Sequence, residues 1–380
     1  MASAGSAIAS GPSGPGGALA ATPSKRVLLI SNRVMHYRVS VYNYFWRRFR
    51  EHGWDFAVLS NELERQNQIQ CQFRFSEHPF GFFRYRNEIR RFDPDAVILF
   101  LHLKDRILWP LVHWLKFSGI PVALWTKTRN LDDPNNRLRN VFFDYLHGIS
   151  DGLIVYTSSL TRFVAERHRE KVFVANNTIN FEDFPSISES KDEIKRDLGL
   201  PFQKVVLFAG RIAEERNRKK VDHLIDIFRG LDRSDVGLVI VGSGLSPELR
   251  ARMNPANTRY LGEVHDPENR QISRIFKMAD VCSIPGHVGL GLNQAFFWGL
   301  PMVTEWGNQP PEIEYLRDGE NGFIVAEDDR QGLRNRLLLL LDNDRERRRM
   351  SANARRDILT YASIEGMFKG FLSCVQYLSR

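Results

Sequence analysis

Two cationic side chains, Arg211 and Lys219, lie in a polar loop that directly follows a predicted strand at 205–209. The strand runs into Gly210, and a predicted helix follows the loop. A guanidinium group can bind two phosphate oxygens as a fork, and an ammonium group adds a compact positive charge. The pattern therefore indicates a diphosphate-binding loop. A turn carrying solvated basic side chains is the simpler alternative that the loop taken alone would favour.

Two glycine-rich turns follow later predicted strands of the same half. Gly242 comes after the strand 237–241, and the loop 286–291 lies between the strand 281–284 and the helix 292–298. Glycine lets the backbone approach a ligand closely, and the N-terminus of a helix attracts anions. Each turn is a weak signal alone, but together they predict a phosphate or sugar site in the second half.

Polar side chains also follow the strands of the first half. His36 and Arg38 come after the first strand, His102 follows the strand ending at Leu101, and Lys127 and Arg129 follow Trp125. Ligands of doubly wound sheets bind at the carboxyl ends of the strands. These residues are therefore candidates for binding the second substrate, although a surface or capping role fits each histidine equally well.

The elements that would position these candidate residues are strands that alternate with helices. This alternation is typical of βαβ units and parallel sheets. In the first half the predicted strands are 26–31, 55–59, 96–101, 121–125, 152–156 and 172–175. In the second half they are 205–209, 237–241, 259–261, 281–284, 301–304 and 322–325. The predicted fold class is α/β, with two Rossmann-like doubly wound domains that face a cleft.

The 380 residues are too many for one ordinary core and suit two domains. We predict a disordered Gly/Ala/Ser/Pro tail at 1–24, a first Rossmann-like domain at 25–177 that carries the candidates for the second substrate, and a second Rossmann-like domain at 178–361 that carries the predicted phosphate or sugar site. A C-terminal helix at 362–380 has no strand after it, and we expect it to pack back towards the first domain.

Charge separates the two halves. Residues 25–177 hold 24 Lys and Arg against 15 Asp and Glu, whereas the rest hold 29 against 30, so the net +8 arises in the first half. That half is therefore expected to meet an anionic partner. Three distant cysteines and the lack of a long apolar run favour a cytoplasmic protein without disulfides or a membrane span.

The segment 73–92 mixes aromatic and basic residues. Phe80, Phe82, Phe83 and Tyr85 alternate with five arginines. This composition suits an anionic membrane surface on which the protein would lie peripherally. It would equally suit nucleic acid, but the phosphate or sugar site predicted in the other half ranks lipid higher, and no nucleic acid is expected. An aromatic core with solvated arginines is the plain alternative.

The order of motifs in the second half is more specific than any one of them. It runs GRIAEERNRKKVDHLIDIF, VGSG, YLGEV, ADVCSIPG, QAFFWGLPMV and PEIEYLRDGENGFIV. This series, from about residue 205 to the C-terminus, resembles glycosyltransferase family 4, whose members are retaining enzymes with the GT-B fold. The first half resembles that family only loosely.

The resemblance implies roles for individual residues. Arg211 and Lys219, or Lys220 in place of Lys219, match the pair that neutralises the donor diphosphate. Gly286 and Gln294 occupy the positions of two signature glutamates, so the chain departs from the family there. The donor sugar would then meet main-chain groups of Gly286, His287, Val288, Gly289 and Leu290, or the side chain of His287. Lys127 stands where similar enzymes often have a histidine, which shifts the catalytic expectation to His102 and His36.

The resemblance also implies an activity. It is the transfer of a hexose-type sugar, with retention, from a nucleotide-diphosphate sugar to a hydroxyl of a glycan or lipid-linked acceptor, in cell-surface glycan or polysaccharide assembly. No cofactor and no metal are expected, because no DxD-like motif follows a predicted strand and Asp132 and Asp133 lie in a loop before Pro134. Two alternatives stay open: a nucleotide-sugar epimerase of the same fold, and a catalytically silent sugar-nucleotide or glycan-binding protein.

Overall fold

The computed structural model describes residues 24–65, 69–100, 102, 105–129, 131, 133, 136–212, 218–266 and 268–380. The predicted tail therefore lies outside the described residues, except for Ser24. The strands are β1 Lys25–Ser31, β2 Trp54–Ser60, β3 Arg74–Glu77, β4 Ala96–Phe100, β5 Val122–Thr126, β6 Gly152–Val155, β7 Val172–Val174, β8 Lys204–Ala209, β9 Val236–Val241, β10 Thr258–Gly262, β11 Val281–Ser283, β12 Met302–Glu305 and β13 Gly322–Val325. The α-helices are α1 His36–Glu51, α2 Phe82–Phe92, α3 Leu108–Phe117, α4 Arg137–Ile149, α5 Lys191–Asp197, α6 Val221–Arg229, α7 Pro247–Arg252, α8 Arg270–Met278, α9 Leu290–Phe297, α10 Arg330–Asp342, α11 Asp344–Tyr361 and α12 Ile364–Leu378.

Two separate parallel sheets confirm the predicted α/β class. The first sheet has the order β3-β2-β1-β4-β5-β6-β7, and the second has the order β10-β9-β8-β11-β12-β13. All their strand pairs are parallel, for example Val27 beside Phe56 and Val206 beside Leu238. Their short β-branched runs are buried on both faces, as strands covered by helices on either side must be.

Helices cover both faces of the first sheet. Residues of α1 and α12 share one core with the sheet, whereas residues of α2, α3 and α4 pack on the opposite face. Helix α12 follows the second sheet in sequence but packs on β5, β6 and β7 of the first. Ser363 caps its N-terminus by accepting a hydrogen bond from the Gly366 amide. The chain thus returns to the domain in which it began.

The twelve predicted strands are present, with ends that shift by one or two residues. The structure adds β3 and α2 inside the segment 73–92, where Phe73, Tyr85 and Phe92 belong to the core. Part of that segment therefore belongs to an aromatic core, as the simpler alternative to a membrane surface predicted, although Phe83 is exposed. Two 3₁₀ helices, Ser158–Phe163 and Glu166–Lys171, lie between β6 and β7. Within the described residues, no helix combines the length and the apolar character needed to cross a membrane.

We expect Phe371→Ala in α12 to destabilise the first domain by about 3–5 kcal/mol, because it removes a fully buried ring. The Phe371 ring centroid lies 4.8 Å from that of Phe45 and 5.1 Å from that of Trp125. Urea unfolding followed by tryptophan fluorescence measures the change. Phe117→Ala is the matched control, since Phe117 is 92% exposed and its loss should cost under about 0.5 kcal/mol. Equal midpoints for the two variants would show that α12 does not stabilise the first sheet.

Candidate functional site

Three loops meet at the carboxyl edge of the second sheet, where the strand order reverses beside β8. The amide of Gly210 donates to the carbonyl of Val241 at 2.9 Å, and that of Ile212 donates to Ser243 at 2.8 Å. A Cβ at Gly242 would lie 2.0 Å from the carbonyl oxygen of Gly210, and its φ is 139°. Only glycine lets these backbones approach so closely. The edge of the sheet is therefore a cradle lined by main chain, the usual place for a ligand in such folds.

The loop after β11 closes the cradle from the other side. The amide of Gly286 donates to Lys219 O at 3.1 Å, that of His287 donates to Arg218 O at 2.7 Å, and that of Val288 donates to the Gln309 side chain at 3.2 Å. A Cβ at Gly286 would lie 2.0 Å from the Arg218 carbonyl oxygen. No side chain fits at Gly286 in this arrangement, which explains the departure from a glutamate at this position.

The same contacts correct one expectation. We expected main-chain groups of Gly286, His287 and Val288 to face the donor, but their amides bond within the protein, and the Gly286 carbonyl accepts from Gln309 at 2.8 Å. The backbone at Gly289 and Leu290 begins helix α9, whose first amides have no acceptor within the helix. Gln294 lies four residues after Leu290, on the same side of α9, and is partly exposed. An anion would therefore meet the start of α9.

Lys219 lies between the two loops. Its ammonium donates to the carbonyl of His287 at 3.0 Å, and an added Cβ at Gly210 would lie 2.9 Å from its Cε. Burial lowers the pKa of Lys219 to about 8, so the ammonium is still mainly protonated at pH 7 and loses its proton above about pH 8. An anion bound beside it would favour the charged form.

Arg211 spans the cleft and contacts the first domain. Its guanidinium donates to Glu64 at 2.9 Å, and the imidazole Nδ1 of His36 lies 2.9 Å from the other carboxylate oxygen. The side chain of Glu64 is only 6% exposed, whereas that of Arg211 is 47% exposed. Burial alone would raise the pKa of Glu64, but the hydrogen bonds from His36 and Arg211 lower it below its usual value. Burial lowers the pKa of His36, which favours the neutral ring at pH 7.

Glu64 escaped the sequence reasoning. It lies in the loop after β2, without a motif, and only folding brings it to His36 and Arg211. The position of His36 just after β1 was the one available signal. The imidazole of His265, which follows β10, lies beside that of His36, and the two ring centroids are 5.5 Å apart. The two domains therefore meet in a charged cluster of these four side chains.

Arg38 was expected on the acceptor side, and the structure contradicts this. Its side chain is buried, donates to Asn177 Oδ1 at 2.6 Å and lies over the Trp125 ring at 4.8 Å. The Asn177 amide in turn donates to Glu312 of the second domain. Arg38 therefore holds the segment that connects the domains. Burial in that hinge takes its guanidinium away from the cleft.

The other first-domain candidates lie at strand ends as predicted, but they do not form one cluster. Lys127 is exposed, with its ammonium 5.8 Å from the Tyr156 ring, and Arg129 lies over Phe163 at 5.3 Å. His102 is also exposed, and its Nδ1 lies 3.6 Å from Asp105. Among the described residues, no contact joins these three side chains to Arg211 or Lys219.

A second cluster, which the sequence did not reveal, lies beside Lys219. Lys220 has a left-handed backbone with φ 50°, and its ammonium lies 3.2 Å from Glu305 and 2.7 Å from Asp328. His223 Nδ1 lies 2.6 Å from the other oxygen of Glu305, a fully buried carboxylate. The oxygens and nitrogens of His223, Glu305 and Asp328 are close enough to hold a metal ion, but the Lys220 ammonium already lies among them. Lys220 therefore pairs with acids, and Lys219 is left to face the cradle.

These features together form a candidate anion site. It has a main-chain cradle, the start of α9, a half-buried ammonium and an exposed guanidinium at the cleft. Such an arrangement can bind two linked phosphates and stabilise negative charge that develops on them.

Comparison with known proteins supports the resemblance of the second half. Residues 203–343 match the model of the family described as Glycosyl transferases group 1. The chain is similar to a phosphatidyl-myo-inositol mannosyltransferase of Mycobacterium leprae, with 34% identity over 157 residues, 39% of this chain and 40% of that protein. The aligned part therefore spans about two fifths of the relative's length.

Solved structures confirm the fold of the whole described chain. HepE of Anabaena, crystallised with UDP and glucose, superposes with a TM-score of 0.71 at 13% identity, over 93% of this chain and 99% of that one. WaaG, a glycosyltransferase involved in lipopolysaccharide biosynthesis, superposes with a TM-score of 0.65 at 16% identity, over 89% and 97%. At these identities the likeness establishes the GT-B fold.

We expect Glu305→Gln to lower the free energy of unfolding by about 1–3 kcal/mol at pH 7, because it weakens charged hydrogen bonds at a buried group. Although burial raises the pKa of Glu305, its bonds with His223, the Asp328 amide and Lys220 lower it below 4.5 in the folded protein. The stabilisation is therefore present above pH 4.5 and is lost as the pH falls through the folded pKa. Urea unfolding at pH 7 and pH 4 should show a difference between variant and native protein that shrinks in acid.

Glu327→Gln is the control for this experiment. Glu327 also faces the Lys220 ammonium, at 3.4 Å, but its side chain is 56% exposed. Its loss should cost under about 1 kcal/mol. A Glu305→Gln effect no larger than the Glu327→Gln effect would remove Glu305 from the network that supports the loop.

Proposed function

We propose, from a second domain that matches the group 1 glycosyltransferases, that this protein transfers a sugar from a nucleotide-diphosphate sugar to a hydroxyl acceptor. The observation that carries the proposal is the position of Arg211 and Lys219 at the glycine-lined edge of β8, within the matched residues. The relative named as a mannosyltransferase aligns over two fifths of its length and favours the same activity.

The proposed donor lies with its diphosphate at the start of α9, between Arg211 and Lys219. As the bond between the anomeric carbon and the phosphate oxygen breaks, negative charge grows on the diphosphate. The ammonium and the guanidinium stabilise that charge, which lowers the barrier. Gln294 then offers a neutral hydrogen bond to a ribose hydroxyl. Gly289 and Leu290 are the remaining main-chain candidates for the sugar.

Arg211 has two partners in this proposal. In the structure its guanidinium bonds to Glu64 of the first domain at 2.9 Å. Because its side chain is 47% exposed, it can turn from this carboxylate to a phosphate without unpacking the core. The Glu64 carboxylate keeps its bond with His36 when Arg211 leaves. Donor binding and the contact between the domains are thereby coupled through one side chain.

The acceptor is proposed to enter from the first domain. His36, His102, Lys127 and Arg129 follow strands whose carboxyl ends face the second domain. Burial favours the neutral ring of His36, but that ring is already hydrogen-bonded to Glu64. The exposed His102 is therefore the second candidate for contact with the acceptor hydroxyl. Retention of anomeric configuration would follow if the leaving diphosphate takes the acceptor proton on the same face of the sugar.

The wider setting is proposed as cell-surface glycan or polysaccharide assembly on a glycan or lipid-linked acceptor. A cytoplasmic protein that lies peripherally on the membrane fits this role, as does catalysis without a metal. Conversion of the free nucleotide-sugar in the absence of acceptor would instead favour an epimerase. Donor binding without turnover would favour a silent binding protein.

A thermal-shift screen against UDP, GDP, ADP and their common sugar conjugates, in EDTA, tests the donor site. We expect a saturable rise in Tm with one nucleotide class, because a ligand that binds the folded state stabilises it. Arg211→Ala should abolish the shift and lower turnover about 10²–10³-fold, as removal of one charge-stabilising donor does. Arg348→Ala is the control, since Arg348 is 80% exposed on α11. A shift in Tm that is absent in EDTA but appears when Mg²⁺ is added would contradict a metal-free site. The absence of a shift with every nucleotide would contradict the donor site.

The pKa of Lys219, about 8, gives a second prediction. A lysine with a lowered pKa is protonated below that value and neutral above it. We therefore expect the Kd of the bound nucleotide to rise above about pH 8, by up to about tenfold per pH unit. Lys219→Met, which keeps the length of the side chain without a charge, should bind more weakly and lose this pH dependence. Isothermal titration calorimetry between pH 7 and pH 9.5 measures both effects, and an unchanged pH profile in Lys219→Met would assign the titration to another group.

A further inference from the structure

Helices α2, α3 and α4 present an unusual outer face on the first domain. Their inner faces pack on the sheet through residues such as Tyr85, Leu111 and Leu146. Their outer faces carry large apolar side chains in contact with solvent. We call this the α2–α4 surface and define it by Phe83, Phe117, Leu138, Val141, Phe142 and Tyr145.

Helix α4 contributes an apolar stripe on its exposed side. Leu138 is 78% exposed, Val141 66%, Phe142 50% and Tyr145 46%. Their spacing of three and four residues places all four on one face of the helix. The opposite face already supplies Phe143 and Leu146 to the core. A helix that is apolar on both faces needs a second partner for its outer face.

The neighbouring helices extend this stripe. The Phe142 ring centroid lies 5.0 Å from that of Trp109 in α3, and the Tyr145 ring stacks beside His113 at 5.9 Å. Phe117, at the end of α3, is 92% exposed, and Phe83, in the first turn of α2, is 69% exposed. The α4 stripe is therefore continuous with rings of α3, and Phe117 and Phe83 add exposed apolar side chains on the neighbouring helices.

Charge on the same three helices is strongly one-sided. Between them they hold seven Lys and Arg residues and two acidic residues. Arg137 and Arg139 are exposed beside Leu138, and Lys116 is exposed beside Phe117. The guanidinium of Arg86 lies 5.3 Å from the Phe83 ring centroid. Arginine and lysine can bury the aliphatic part of their side chains in an apolar layer while the charged end group stays at its polar boundary.

We propose that the α2–α4 surface docks on an anionic lipid membrane. Aliphatic and aromatic side chains would enter the boundary between headgroups and acyl chains, and the basic side chains would meet anionic headgroups. A second copy of the chain would bring like charge against like charge. Nucleic acid would match the charge, but the aliphatic Leu138 and Val141 cannot stack on bases as aromatic rings do. The combination therefore fits lipid.

The position of α4 connects this surface with the cleft. Helix α4 follows β5 and begins at the carboxyl edge of the first sheet, the same edge at which Lys127 and Arg129 lie. A membrane against α4 would thus lie next to the acceptor side of the cleft. This geometric consequence rests on the proposed function, since it gives a lipid-linked hydroxyl a short path to the donor. The docking itself does not depend on it.

Vesicle flotation tests the docking. The full chain is mixed with vesicles of phosphatidylcholine alone or with about 30% phosphatidylglycerol, and the bound fraction gives a partition coefficient. We expect binding to the anionic vesicles, and an at least tenfold lower coefficient for Leu138→Ser/Phe142→Ser. The matched control is Leu339→Ser/Leu359→Ser, which removes two exposed leucines, 38% and 44% exposed, from the second domain. This control should bind as the native protein does.

Charge is tested separately. Arg137→Ser/Arg139→Ser should lower binding to the anionic vesicles several-fold and leave the weaker binding to phosphatidylcholine unchanged. Circular dichroism and the nucleotide-induced rise in Tm report whether each variant is folded. Because flotation needs no nucleotide, a protein that floats but binds no nucleotide would contradict the proposed function and leave the docking intact.

Three results would overturn the docking proposal. The first is native protein that does not float with anionic vesicles, or a Leu138→Ser/Phe142→Ser variant that floats equally well. The second is a dimer in sedimentation that this variant abolishes, which would make the surface a contact between copies. The third is binding of a single-stranded oligonucleotide that the same substitutions abolish while vesicle binding persists.

Discussion

The close approach of three backbones at the edge of the second sheet is the constraint on which the rest of the site depends. Gly242 and Gly286 each meet a backbone carbonyl oxygen, of Gly210 and Arg218, at a distance that leaves no room for a Cβ. Because the loops touch through main chain, their positions follow from hydrogen bonds and not from flexible side chains. Lys219 is held between them, and α9 starts where they end. The shape of the candidate anion site is therefore set largely by main-chain contacts.

The same arrangement gives the two adjacent lysines of the loop different partners. Lys219 points into the cradle, where burial lowers its pKa to about 8. Lys220, in a left-handed conformation, turns the opposite way to the buried carboxylate of Glu305. Without that pairing, the loop would carry two competing ammonium groups beside one anion. The acids on β12 and after β13 thus act on the site through the loop, although they do not face the cradle.

The domains are joined by a second set of interactions with a different character. Arg38, Asn177 and Glu312 form a buried chain of hydrogen bonds around the connecting segment, and α12 packs the end of the chain against the first sheet. Arg211 and Glu64 meet at the open side, where the arginine is exposed. A buried hinge and an exposed contact across the cleft suit a pair of domains that changes its separation when a ligand takes one partner of the ion pair.

The sequence alone determined the fold class, the twelve strands named in advance, the glycine-lined loops with Arg211 and the departure at Gly286, because these depend on local patterns and on the order of motifs. It missed Glu64, placed Arg38 in the cleft and did not separate Lys220 from Lys219. Apart from His36, which is 28 residues from Glu64, their partners lie between about 80 and 150 residues away, and only packing brings such groups together. The sequence reasoning did not identify the exposed apolar stripe of α4, because only the tertiary structure decided which face of that helix the sheet covers and which face meets solvent. The reason is physical: a sequence records the character of each side chain, whereas burial and pairing depend on what the rest of the chain places against it.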